Sequence, residues 1–172
     1  ELLEDPRIND IVEALIGEDC SFRNWDGHFY SGNTRWHSDG GVPGLPVVHM
    51  VFYPDPVTDG NGCLSVIPGS NHQGYLDGIT YAMETGIYDR SSPDVPGRYA
   101  VESQSGDVVV FHHAMYHSSW GGKNHRRMFS LSYEATPTVS WQNHYLRGNI
   151  ANMPHIKAGH RIYSERLVQT AG

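Results

Sequence analysis

The chain reads as an all-β core, a barrel or sandwich, with one flanking helix. Three observations predict this. Its 172 residues fit one domain with a core of useful size, a helical period is confined to the first stretch, and the remainder consists of short β-branched or aromatic runs broken by Gly, Pro, Asn and Asp.

The helix comes first. In "EDPRINDIVEALIGED" the apolar residues Ile8, Ile11, Val12, Leu15 and Ile16 recur at helical spacing, with Asp5 or Asn9 near the start and Gly17 to stop the run. Strands follow at about Phe29 to Trp36, Val47 to Tyr53, Cys63 to Ile67, Asp107 to His112 and Met128 to Glu134. The polar, Pro-containing stretch from Gly74 to Ser103 reads as a long irregular connection, of the kind that carries function or moves. The tail after Tyr133, with Trp141 and Tyr145, is expected to be irregular and to pack over the barrel. Because the chain opens almost directly into a helix, the single domain over 1–172 is expected to lack an N-terminal portion.

Composition excludes several function classes. A net charge of -7 with 12 Lys and Arg leaves no basic stripe for a nucleic-acid backbone. No apolar run approaches the roughly 20 residues that span a bilayer, and no secretory leader is visible, so a cytoplasmic protein is expected. Cys20 and Cys63 form no CxxC pattern and read as buried thiols, which argues against a disulfide framework or zinc knuckle. The oddity is histidine. There are eleven, with a cluster between His112 and His125, a density that favours metal or proton chemistry.

In "GNTRWHSDGG" (32–41) an extended backbone puts residues two apart on one side, so His37 and Asp39 converge while Ser38 faces away. One imidazole, one carboxylate and a distant second imidazole make the facial triad that holds non-heme Fe(II) and leaves positions open. By itself HxD is a weak signal. The second imidazole is sought in "SGDVVVFHHAMYHSSWGGKNHRRMFSLSY", which reads as turn, strand, turn, polar loop and strand. His112, His113 and His117 compete there, and alternation alone does not separate His113 from His117. Arg126 and Arg127 are adjacent, so only one faces a barrel interior, where a guanidinium needs an anion such as a dicarboxylate. Arg126 shares its face with Ser130 and Ser132, the more polar side, and is the choice for that anchor. Trp36, beside His37, should face oppositely and pack.

Three blocks, "WHSDGG", "DGNGCLSVIPGSNHQGY" and the histidine-rich stretch above, resemble the phytanoyl-CoA dioxygenase (PhyH-like) family of Fe(II)- and 2-oxoglutarate-dependent oxygenases. The resemblance implies a double-stranded β-helix, a jelly-roll or cupin-like barrel with iron in its open end. It places the second histidine ligand on His117, in an HxS phrase with Ser119, and so gives His37, Asp39 and His117 as the metal set. It also implies that Arg126, with Ser119, holds the cosubstrate, Arg127 remaining the alternative, and that His49 lines the cosubstrate pocket. Asn71 stands before the histidine of the middle block, so His72 is assigned to structure or the pocket rim. The implied activity is hydroxylation of a small organic molecule using O2, Fe(II) and 2-oxoglutarate, with succinate and CO2 released and ascorbate as a supporting reductant. Asp39 favours hydroxylation, since related halogenases carry a small residue there. The acidic composition argues against coenzyme A thioesters as substrates. A cupin-type metalloenzyme without 2-oxoglutarate, or a non-catalytic binding module, are the rival expectations; neither substrate identity nor oligomeric state is readable.

Overall fold

The computed structural model describes residues 2–42 and 44–142, the side chains at 28, 30, 31 and 123–125 excepted. The expected helix is α1 (Pro6–Ile16): the Asp5 carboxylate caps it by accepting from the Arg7 N–H at 3.0 Å, and Gly17 ends it at φ 94°. Its buried stripe is narrower than the sequence suggests. Ile8 and Val12 are buried against Val48, Met50, Leu131 and Tyr133, whereas Ile11 and Leu15 are exposed.

Among the described residues six strands form one antiparallel sheet: β1 (Cys20–His37), β2 (Val47–Phe52), β3 (Leu64–Val66), β4 (Tyr99–Val101), β5 (Val108–His112) and β6 (His117–Ala135). β6 organises them. One edge pairs with β1 from Cys20↔Ala135 to His37↔His117, while the other serves β3 at His117–Ser119 and β2 at Phe129–Glu134. β2 then continues to β5, and β3 to β4. Two long strands with different neighbours at their two ends must curl, and this creates the inside and outside on which the site depends.

Two expectations are corrected. Both long strands begin well before the sequence suggests, at Cys20 and His117 instead of Phe29 and Met128, because backbone pairing between them carries a stretch whose composition reads as loop. The connection from Gly74 to Ser103 is not irregular throughout. It contains most of α2 (Gln73–Glu84) and β4; α2 buries Ile79, Ala82 and Met83, and Ile79 and Met83 join a cluster with Trp36, Ile67, Val95, Tyr116 and Trp120. Gly74 and Gly78 weaken the helical pattern, and burial of that face outweighs their cost. Trp36 packs as expected, 1% exposed, with its indole N–H donating to the Ser92 carbonyl at 2.9 Å. Cys63 is buried, Cys20 half-buried, and both are free thiols. The tail beyond residue 142 lies outside the described residues.

Candidate functional site

His37 is the last residue of β1 and His117 the first of β6, and the two are direct partners in the ladder. Asp39 follows in the loop. Ser38 between them turns away, as alternation requires: its hydroxyl donates to the Ala114 carbonyl at 2.9 Å and accepts from the Gly40 N–H at 3.1 Å. This pins the loop so that the Asp39 carboxylate returns toward the imidazoles. His37 Nε2 stands 3.6 Å from Asp39 Oδ1, and His117 Nε2 stands 3.5 Å from Oδ2.

Backbone carbonyls fix which ring nitrogen is free. His37 Nδ1–H donates to the Arg35 carbonyl at 2.8 Å, and His117 Nδ1–H to the Met115 carbonyl at 2.9 Å. Both Nε2 lone pairs therefore face the carboxylate, the arrangement that orients imidazoles for a metal. Donor atoms of His37, Asp39 and His117 all lie within 4.8 Å of one another. Two nitrogens and one carboxylate suit a divalent transition metal that keeps open positions. Burial, then the neighbouring His37, pulls the His117 pKa down to about 4, so its ring is neutral at physiological pH.

A second pair of imidazoles borders the same carboxylate. His49 Nε2 lies 3.5 Å and His113 Nε2 3.9 Å from Asp39 Oδ2, and the two rings stack with centroids 4.6 Å apart. His113 Nδ1–H donates to the Gly40 carbonyl at 3.2 Å. Burial lowers the pKa of both, that of His49 to about 3. The choice between His113 and His117 thus falls on two residues that both reach Asp39 Oδ2, His117 at 3.5 Å and His113 at 3.9 Å.

A cavity of about 270 Å³ leads inward from these groups, lined among others by His49, Phe111, Ser119, Asp26 and Arg126. Arg126 is 8% exposed, donates through Nη1 to the Gly62 carbonyl, and lies over the Tyr53 ring at 5.9 Å. Arg127 points the other way, into an exposed ion pair with Asp55 at 2.7 and 2.5 Å. Ser119 Oγ donates to Thr34 Oγ1 at 3.4 Å on the cavity wall. His72 stands exposed at the start of α2, away from the histidine group.

Sequence reasoning missed Asp26, which lines the cavity, and the buried pairing of Arg23 with Glu134 at 3.8 Å. Glu134 shares the inward parity of Arg126, Ser130 and Ser132, a signal that was available. For Arg23 there was none, because a bulge between Phe22 and Asn24 breaks the alternation of β1.

A sequence profile of the phytanoyl-CoA dioxygenase (PhyH) family matches residues 1–128. The L-proline trans-4-hydroxylase of Streptomyces griseoviridis is 28% identical over 102 residues, covering 49% of this chain and 38% of that protein. Among solved structures, AviO1 from Streptomyces viridochromogenes Tue57 superposes with a TM-score of 0.61 at 20% identity, covering 81% of this chain and 61% of that one. HygX from Streptomyces hygroscopicus, solved with nickel and 2-oxoglutarate, gives 0.61 at 17% identity, covering 78% and 64%. The chain thus spans less than two thirds of the length of each. These likenesses establish the jelly-roll fold, as expected from the sequence. With its profile match over most of its length, this chain belongs to the phytanoyl-CoA dioxygenase family.

Proposed function

We propose that the protein is an Fe(II)- and 2-oxoglutarate-dependent dioxygenase that hydroxylates a small organic molecule. The observation that carries the reading is the convergence of His37, Asp39 and His117 at a cavity that also presents the buried Arg126. HygX, of the same fold, was solved with nickel and 2-oxoglutarate and also with iron, and one relative is a hydroxylase of L-proline. Both accord with this chemistry. The reading takes 1–172 as one dioxygenase domain, and the free thiols of Cys20 and Cys63 accord with a reducing, cytoplasmic setting. No helix among the described residues is long and apolar enough to cross a membrane.

In this reading His37, Asp39 and His117 hold the iron, their free Nε2 atoms kept in place by carbonyls of Arg35 and Met115. Bound iron supplies oxygen activation, so that substrate, O2 and 2-oxoglutarate become hydroxylated product, succinate and CO2. Arg126 neutralises the far carboxylate of 2-oxoglutarate, assisted by Ser119, with His49 as a polar neighbour. Val51, Leu64, Phe111 and Met128 supply the apolar part of the wall, which favours exclusion of water. A cupin-type enzyme without 2-oxoglutarate has no need of a buried guanidinium, and this disfavours it.

Anaerobic titration with Fe(II) and 2-oxoglutarate tests the proposal. A weak visible charge-transfer band is expected on forming the ternary complex; its absence from the intact protein overturns the reading.

A further inference from the structure

His112 is the member of the histidine cluster that the iron site leaves unused. It ends β5 opposite Val48, and alternation turns it away from the side on which Phe111 borders the iron cavity. Its Nδ1 accepts from the Ala114 N–H at 3.1 Å, which holds the ring neutral with its proton on Nε2. His37, His113 and His117 are the reverse, donating through Nδ1–H to backbone carbonyls. They present lone pairs, whereas His112 presents a donor. Burial, then the neighbouring His72, lowers the His112 pKa, in agreement with a neutral ring. Among the described residues Nε2–H meets no acceptor.

The ring borders a second cavity, of about 480 Å³, beside the two end strands of the sheet, β4 and β5, and the end of α1. Ile16, Val48, Val66, Val101, Val110 and Met115 make its wall apolar, and among the described residues no Asp, Glu, Lys or Arg lines it. Apart from His112, its one polar side chain is the exposed Tyr99. Pockets of about 300–1,000 Å³ hold drug-sized molecules, so there is room for one here. Phe111 is the one residue common to this wall and that of the iron cavity, which makes the two spaces separate. A wall without charge disfavours an ion. A single fixed donor in it calls for a single acceptor.

We infer that this cavity is a second ligand site, distinct from the iron site, for a neutral and largely apolar small molecule that presents one acceptor oxygen, of carbonyl or ether type, to His112 Nε2–H. It requires neither iron nor 2-oxoglutarate, and so stands or falls apart from the dioxygenase reading.

The test uses the full metal-free chain and Nile red, a neutral apolar dye whose emission rises and moves to the blue in apolar surroundings. The dye should bind saturably and be displaced by benzophenone and by diphenylmethane, which differ by the carbonyl oxygen. The affinity ratio of ketone to hydrocarbon should fall about three- to tenfold in His112→Phe, the effect of one hydrogen bond. Methyl 4-benzoylbenzoate should displace the dye at least about tenfold more tightly than 4-benzoylbenzoate, whose carboxylate finds no countercharge. Each ratio is taken within one protein, so partial misfolding of the variant does not imitate the result. His112 borders the second cavity and not the first, so the change in ratio also locates the dye. Absence of saturable dye binding, an unchanged ratio in His112→Phe, or preference for the carboxylate overturns the site. Dye binding that declines as sedimentation shows the chain associating means that a second copy fills the space, and overturns it equally.

Discussion

His37 and His117 face each other as direct partners at the end of the β1–β6 ladder, with ring centroids 4.2 Å apart. The separation of two metal-ligand candidates is thereby set by strand pairing, the stiffest arrangement available to residues so distant in sequence. Asp39, held by a serine-pinned loop, is the adjustable member.

Asp39→Ala is expected to lower Fe(II) affinity at least about a hundredfold, and His117→Ala similarly, since either leaves two donors. His113→Ala should keep Fe(II) affinity within about tenfold. Equilibrium dialysis against Fe(II) under anaerobic conditions separates these outcomes. Loss of binding in His113→Ala alone would instead favour the group of Asp39, His49 and His113, whose donors also lie within 4.8 Å of one another.

Arg126→Gln is expected to weaken 2-oxoglutarate at least about thirtyfold, the loss of a buried charge-assisted pair, with Fe(II) binding unchanged. Arg127→Ala should bind 2-oxoglutarate as the wild type does and keep its melting temperature, because its partner Asp55 is an exposed carboxylate. Titration of the charge-transfer band reads both.

Glu134→Gln is expected to raise the melting temperature at pH 7 by about 2–4 °C, the shift made by about 1 kcal/mol in a domain of this size. Burial lifts the Glu134 pKa above its ordinary 4.5, against the pull of Arg23. The folded chain then holds this proton more tightly than the unfolded chain. Its contribution is full below about pH 4.5 and is lost as pH rises through the folded value. Thermal denaturation between pH 4 and 8 should show this decline in the wild type and its attenuation in the variant; parallel curves contradict it.

Gly121→Ala should cost about 1–3 kcal/mol or more in urea denaturation. At φ 78° an added Cβ runs into the Gly60 peptide, with its carbonyl carbon at 2.8 Å. Unaltered stability would mean that this crossing of β6 over the Gly60 loop is not tight.

Legibility in the sequence followed how local each cause is. The parity of His37 and Asp39 and that of Arg126 against Arg127 were readable because no bulge intervenes between the residues compared. "GGKNHRR" did not read as strand, since what makes it one is a partner nearly a hundred positions earlier, at Gly32↔Gly122 and Tyr30↔Arg126. Glycines veiled α2, whose helical state comes from burial of Ile79 and Met83. The histidines illustrate another limit: His49 and His113 meet at Asp39 through tertiary folding, and neither spacing announces it.

The uneven regularity of the β1–β6 ladder bears on how such a protein can change. β6 keeps strict alternation from Arg126 to Glu134, a stretch along which the pairing with β1 shifts once, at Phe22/Asn24; the other three shifts lie between Tyr30 and His37, opposite Arg126 to His117. A residue gained or lost between Arg126 and Glu134 would reverse the parity of the inward-facing groups beyond it together. Between His117 and Arg126 the ladder already accommodates extra residues, two of its shifts having the longer side in β6, so a length change is least disruptive there.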